Sequence, residues 1–288
     1  MNRWLLGARP RTLPAAVVPV ALGAAAAVGE PHPVWWRVGP ALVVSLALQV
    51  GVNYANDYSD GVKGTDEVRV GPTRLVAGGL ASPSEVKRAA LAMFALAAVA
   101  GLALAVATTW WLIAVGVAAL LAGWFYTGGP KPYGYMGLGE VFVFVFFGLV
   151  ATAGTAYVVC ERITGVAWMA GWVAGCLACA LLVINNLRDI PTDREVGKLT
   201  LAVRLGDRRT RWFYLALLMA ALALVALIGV TSKQWALLGL VGGVAAVPAV
   251  KAVRGGAKGG GLIAVLGATG RMQLVTGLLT AVGIAISR

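Results

Sequence analysis

The sequence predicts an all-α, multi-pass membrane protein, and three observations lead there. Of the 288 residues, 59% are hydrophobic and 12% are charged, about half the charged share of an ordinary soluble domain. The apolar residues fall in blocks of about 20, the length a helix needs to cross ~30 Å of hydrocarbon. Tryptophans gather at the block ends, at Trp35-Trp36, Trp110-Trp111, Trp168 and Trp235, where an aromatic belt meets the membrane surface.

Nine spans are expected, at 12–29, 37–56, 84–107, 110–126, 139–160, 166–187, 210–230, 233–251 and 260–286. The first follows Arg3, Arg9 and Arg11. Its apolar run, Leu13 to Val28, is near full span length and more spans follow, so it reads as a retained span rather than a cleaved leader. The second ends among polar residues from Asn53 onward. The third opens on Ser82-Pro83-Ser84-Glu85, a capping box with proline at the first helical position. The fourth starts at Trp110-Trp111. Cys160, Cys176 and Cys179 lie in or beside the fifth and sixth spans. The C-x-x-C pair has neither a second pair nor a histidine partner, so packing is its reading. The last span carries Arg271 and Gln273 within an apolar stretch, and a charge there marks function by default. One membrane domain, residues 1–288, accounts for the whole chain.

The net charge is +12. Its Lys and Arg sit in short loops between spans, which argues for topology and phosphate binding and against nucleic acid. With the N-terminus in the cytoplasm, 19 of the 24 Lys and Arg fall on the cytoplasmic side and four outside. The positive-inside rule therefore predicts a cytoplasmic N-terminus and an external C-terminus, in the cell membrane. Eight of the 12 carboxylates lie in two cytoplasmic loops, which that rule does not explain. The loops look like copies. One reads Asn53-Tyr54-Ala55-Asn56-Asp57, then Asp60, Asp66 and Glu67. The other reads Asn185-Asn186-Leu187-Arg188-Asp189, then Asp193 and Glu195. Each follows an even-numbered span, predicting two repeated halves of about four helices.

Asn53, Asn56, Asp57 and Asp60 fall at i, i+3, i+4 and i+7, one face of a continuing helix. Asn185, Asp189 and Asp193 share a face too, unless Pro191 breaks that helix. An oxygen-rich stripe suits Mg²⁺, which takes one or two carboxylates and completes its shell with water and substrate phosphates. Lys63, Arg69, Arg74, Arg188, Arg194, Lys198 and Arg204 are near enough in sequence to neutralise the remaining phosphate oxygens. Other signatures fail: there is no P-loop, Asp57 to Gly61 lacks EF-hand spacing, and the single histidine, His32, cannot hold a metal alone.

Asn56-Asp57-Tyr58-Ser59-Asp60 with Asp66, and Asp189-Ile190-Pro191-Thr192-Asp193, resemble the paired N-D-x-x-D and D-x-x-x-D motifs of the UbiA superfamily of intramembrane prenyltransferases. The likeness spans nearly the whole chain. It implies nine helices around a central cavity open to lipid, under a cytoplasmic cap. It implies Mg²⁺ held by Asn56, Asp57, Asp60, Asp66, Asp189 and Asp193, with Asp60, Asp189, Asp193 and Lys131 as the catalytic set. Lys63, Arg69, Arg74, Lys131, Arg188 and Lys198 are the expected diphosphate contacts. Asn53, Tyr126, Asn185, Arg9 and Arg271 are expected at the acceptor, with Arg11 a further candidate and Arg271 equally able to pair with an acid. The broad motif would set its last acid at Gly64; here it is Asp66, two residues on.

Ala8-Arg9-Pro10-Arg11-Thr12-Leu13-Pro14, the segment from Arg69 to Val76, and Asn185 to Arg194 resemble the branch acting on 1,4-dihydroxy-2-naphthoate. The implied reaction ionises a polyprenyl diphosphate. The electron-rich ring captures the allyl cation and its carboxylate leaves as CO₂, within a cavity whose walls include Tyr54, Tyr58 and Tyr126. Acceptors such as 4-hydroxybenzoate or homogentisate are the alternative within enzymes. An anion or lipid transporter is the alternative outside them, though it leaves the one-sided acids unexplained.

Overall fold

The computed structural model describes residues 2–65, 71 and 73–287, and within them the ordered structure is helical. A short α1 (Arg3–Ala8) leads into α2 (Pro14–Ala26), then α3 (Val38–Val62), α4 (Pro83–Ala107), α5 (Trp111–Phe125), α6 (Gly139–Cys160), α7 (Gly165–Glu195), α8 (Leu201–Thr231), α9 (Gln234–Arg254) and α10 (Gly261–Ile286). Among the described residues seven helices, α3, α4 and α6 to α10, are long and apolar enough to cross a membrane. With the shorter apolar α2 and α5 they account for the nine expected spans.

The chain is a multi-pass membrane protein, and α7 is its most interior span. In its most apolar stretch 78% is buried, against 28% for α4. The largest core cluster joins α2, α7, α8, α9 and α10, through Val18, Leu177, Ile184, Tyr214, Ile228, Met272 and Ile284. α3 packs extensively on α4 and α7 on α8, the same position in each half of the expected repeat. The Ser82–Glu85 capping box forms as predicted, with Ser82 N–H donating to Glu85 Oε2 at 2.8 Å. The three cysteines are buried and unpaired.

Two helices outrun their expected limits. α3 continues to Val62 rather than 56, and α7 to Glu195 rather than 187. Hydropathy marks where lipid ends, not where a helix ends. Both motifs therefore lie on helical turns that emerge from the apolar layer. Pro191 does not break α7; the proline removes one N–H from the ladder, while the neighbouring Thr192 hydroxyl donates to the Asp189 carbonyl at 3.1 Å. α8 begins at Leu201, earlier than 210, with a kink at Gly206 (φ 75°), a left-handed conformation suited to glycine.

A π-helical turn, Phe144–Val150, interrupts α6 where it crosses α7. There Gly148 meets Gly175 so closely that a Cβ on Gly148 would stand 2.5 Å from the Gly175 Cα. Small residues let two membrane helices touch backbone to backbone.

Candidate active site

The N-terminal segment, the emerging ends of α3 and α7, the α5–α6 loop and the start of α8 converge at one end of the bundle. They enclose a polar cavity of about 340 Å³. The opposite end is fastened separately: Arg37 donates to the Val158 carbonyl at 3.0 Å, to the Ala107 carbonyl at 2.6 Å and to Glu161 at 2.9 Å.

Helical periodicity turns the α3 stripe inward, burying Asn53, Asn56, Asp57 and Asp60. Each has a distinct set of partners. Asn53 Nδ2 donates to the Ala8 carbonyl at 3.0 Å. Asn56 accepts from the Thr127 hydroxyl at 2.8 Å. Asp57 is a clamp: Arg9 and Arg74 both donate to Oδ1, the latter at 2.5 Å, and the Leu75 N–H donates to Oδ2 at 3.1 Å. Asp60 accepts from the Tyr135 hydroxyl at 2.6 Å and from Lys198 Nζ at 3.1 Å. On α7, Arg188 grips Asp189 in a two-point pair at 2.7 Å and donates to Asn185 Oδ1 at 2.9 Å. Asp193 is buried beside them, and all of these acids line the cavity.

Asn53, Asn56, Asp57, Asp60, Asp189, Asp193, Arg74, Arg188, Lys198, Tyr126, Asn185 and Arg9 thus meet in one place. Arg11 lines the cavity as well. Tyr54, Tyr58, Arg194 and Arg204 do not line it, and neither do three of the expected diphosphate and acceptor contacts. Lys63 reaches over the rim, donating to the carbonyls of Thr127 and Gly129 at 2.8 and 3.3 Å. Its ammonium is held below the usual lysine pKa, first by partial burial, with Asp60 opposing and Lys198 adding to the shift. Lys131 is exposed in the α5–α6 loop. Arg271 is exposed on α10, away from the cavity lining, where a long side chain can extend toward the membrane surface. Asp66 and Arg69 lie outside the described residues.

Sequence reasoning missed Tyr135, Thr127, Glu140 and Asn186. Tyr135 ties three groups together: its hydroxyl holds Asp60, and its ring lies under the ammonium groups of Lys63 and Lys198, at 5.0 and 4.8 Å. Its only sequence signal was its place in the loop after Lys131.

A second, apolar cavity of about 380 Å³ lies between α3, α4, α5 and α6. Along α5 its lining runs from Tyr126 to Leu112, about 21 Å at the helical rise of 1.5 Å per residue. The two cavities share Val52, Tyr126, Val143 and Phe147 as walls. One chamber suits a charged head, the other a long hydrocarbon, and they adjoin at Tyr126.

Among the described residues no three acidic, His or Cys side chains form a ready metal cage. The donor set still fits Mg²⁺, whose usual protein contribution is one or two carboxylates: the oxygens are hard, and neighbouring Arg and Lys side chains balance their charge.

The model of the UbiA prenyltransferase family matches residues 16–259. The chain belongs to that family. It is 50% identical, over 99% of its own length and 98% of the relative's, to a Mycobacterium tuberculosis protein named 1,4-dihydroxy-2-naphthoate octaprenyltransferase. A protein of the same name from Escherichia coli is 38% identical over 80% of this chain and 77% of its own. The fold agrees with a solved UbiA homolog from Archaeoglobus fulgidus bound to GPP and Mg²⁺, with a TM-score of 0.70 over 99% of this chain and all of that one, at 14% identity. The two motif helices α3 and α7 both contribute acids to the wall of the one polar cavity.

Proposed function

We propose that this chain transfers a polyprenyl group from its diphosphate to 1,4-dihydroxy-2-naphthoate, with loss of diphosphate and CO₂, in menaquinone biosynthesis. The observation that carries this reading is the 50% identity across both full lengths to a relative bearing that activity's name. Two adjoining chambers, one lined by charged side chains and one almost wholly apolar, support it.

Asp60, Asp189 and Asp193, with Asn56, are the residues we assign to Mg²⁺. Asp57 is assigned instead to holding Arg9 and Arg74 in place. Mg²⁺, when bound, supplies positive charge to the departing diphosphate. Lys198, Arg188, Arg74 and, from the rim, Lys63 and Lys131 neutralise the remaining phosphate oxygens. The tail lies in the apolar chamber, which keeps water from the allylic carbon. Tyr126, at the junction, turns a π face toward developing positive charge. Arg9 and Arg11 line the polar chamber and provide positive charge for the acceptor's carboxylate. The cytoplasmic side carries the acids and most of the basic residues, so the N-terminus lies in the cytoplasm and the C-terminus outside the cell membrane.

The test uses purified protein, Mg²⁺, a polyprenyl diphosphate and carboxyl-labelled dihydroxynaphthoate. Labelled CO₂ should appear in step with prenylated product. Product that keeps the label overturns the decarboxylative route, and activity confined to 4-hydroxybenzoate or homogentisate overturns the acceptor assignment.

A further inference from the structure

Two adjacent asparagines on α7 line the polar cavity and are held in opposite senses. Asn185 is engaged through its oxygen, which accepts from Arg188. Asn186 is engaged through its nitrogen, which donates to Glu140 Oε1 at 3.0 Å. An amide offers two donors on nitrogen and an acceptor on oxygen. With one N–H given to Glu140, the oxygen of Asn186 accepts from no described residue, and Asn186 lines the cavity.

Glu140 is well placed to impose that sense. It sits in the first turn of α6, where the helix N-terminus favours an acid. The side chain is 5% exposed, and unlike Asp57, Asp60 and Asp189 it meets no cation among the described residues. Its Oε2 is buried without a hydrogen-bond partner among them, so Asn186 is the group this carboxyl is spent on. The Cys179 thiol, donating to the Glu140 carbonyl at 3.1 Å, fixes the turn. Gly139 beside it lets the Tyr126 ring approach: a Cβ there would stand 3.2 Å from a ring carbon. Asn186, Glu140 and Tyr126 therefore form one corner, and Tyr126 is the wall between the two chambers. Ring and allylic carbon must meet at that wall.

We propose that Asn186, oriented by Glu140, accepts a hydrogen bond from a ring hydroxyl of the aromatic substrate, so that the pair selects a free hydroxyl over its O-methyl ether. An ether at that position brings lone pairs against the amide oxygen and no proton. Sites built to bond a hydroxyl reject analogues lacking it far more strongly than apolar pockets reject a methylene. Glu140 is a positioning residue here. The inference rests on the aromatic prenyl transfer proposed above.

The experiment compares kcat/KM for dihydroxynaphthoate and its two mono-O-methyl ethers, which remain electron-rich. Wild type should disfavour one ether by about 10- to 100-fold. Asn186→Leu and Glu140→Leu should lose most of that ratio, with KM for prenyl diphosphate unchanged. Glu140→Gln, which can still accept from the Asn186 nitrogen, should keep it. Retention of the ratio in Asn186→Leu overturns the proposal, as does a rise in the Mg²⁺ or prenyl diphosphate requirement in place of the lost ratio. Wild type that uses both ethers as well as the hydroquinol overturns it without any variant and leaves aromatic prenyl transfer standing. Wild type that prenylates no hydroxyarene overturns both.

Discussion

Replacing Asp57 with alanine should destabilise the fold more than it disturbs metal use, which separates this acid from Asp60 three residues on. Asp57 is 1% exposed, with both oxygens engaged by Arg9, Arg74 and the Leu75 N–H. Alanine removes every one of these acceptors and leaves the buried Arg74 guanidinium and a buried N–H behind. Breaking a buried pair from one side costs about 3–5 kcal/mol, because the remaining charge is uncompensated. Arg9 is 24% exposed at its side chain and can turn toward water, so the lower end, about 3 kcal/mol, is expected. Asp60→Ala leaves the Lys198 ammonium resting on the Tyr135 ring and should cost less, about 1–2 kcal/mol, the lower part of the range for a lost hydrogen-bond partner. Unfolding by SDS in mixed micelles reads the difference directly. The complementary measurement is the Mg²⁺ requirement of turnover at low temperature, which should change little in Asp57→Ala. An Asp57→Ala protein as stable as wild type, with a sharply raised Mg²⁺ requirement, would refute the clamp and return Asp57 to the metal.

Asp60→Ala should abolish turnover in protein that extracts and purifies normally, and Asp189→Asn should do so while keeping an acceptor for the buried Arg188; near-wild-type rates at saturating Mg²⁺ would remove the residue from the site. Lys198→Ala and Lys131→Ala should weaken prenyl diphosphate binding by about 1.5–3 kcal/mol per charged hydrogen bond lost, seen as a rise in its KM and not in that of the acceptor. Gly148→Leu should destabilise the bundle by about 3 kcal/mol, the upper part of the overpacking range, because the Gly175 backbone occupies the space its Cβ needs. Mg²⁺ and inorganic pyrophosphate together should raise the melting temperature by more than the sum of their separate effects; additive shifts would argue against a shared site.

The membrane fold was legible because lipid imposes a strong rule: a span is a block of apolar residues about as long as the hydrocarbon is thick. The same rule misplaced the ends of α3 and α7, whose last turns are polar yet buried by the cavity they line. The acids were legible from their helical spacing and from their concentration in two copied loops. Their partners were not. Nothing local links Asp60 to Lys198, 138 residues away, or Asn186 to Glu140, 46 residues before it. Glu140 stood alone near the head of the fifth expected span and carried no assignment. Arg271 read as an interior charge because a one-dimensional window does not say which face of α10 looks inward.

The pairings of the site also bear on how it stays folded before substrate arrives. Clustered carboxylates in a low-dielectric cavity repel one another and lose their water, a combination that is costly unless each is paired. Here Asp57 is paired by Arg74 and Arg9, Asp189 by Arg188, and Asp60 by Lys198 and a tyrosine hydroxyl. These contacts differ in kind. The Asp57 set is buried and also tied to a backbone N–H, so it can hold the N-terminal segment against α3 throughout turnover. Lys198 is a flexible ammonium resting on the Tyr135 ring, able to leave Asp60 without leaving the site. On the proposed function, a bound metal–diphosphate unit would carry both charges the pairs need: Lys198 and Arg188 would exchange carboxylate for phosphate, and Asp60 and Asp189 would hold the metal in place of their cations. Neither half of that exchange is favourable alone, since each would strand a charge. On the proposed assignment, a fixed clamp beside exchangeable pairs would account for one motif placing acids of unlike duty only three residues apart.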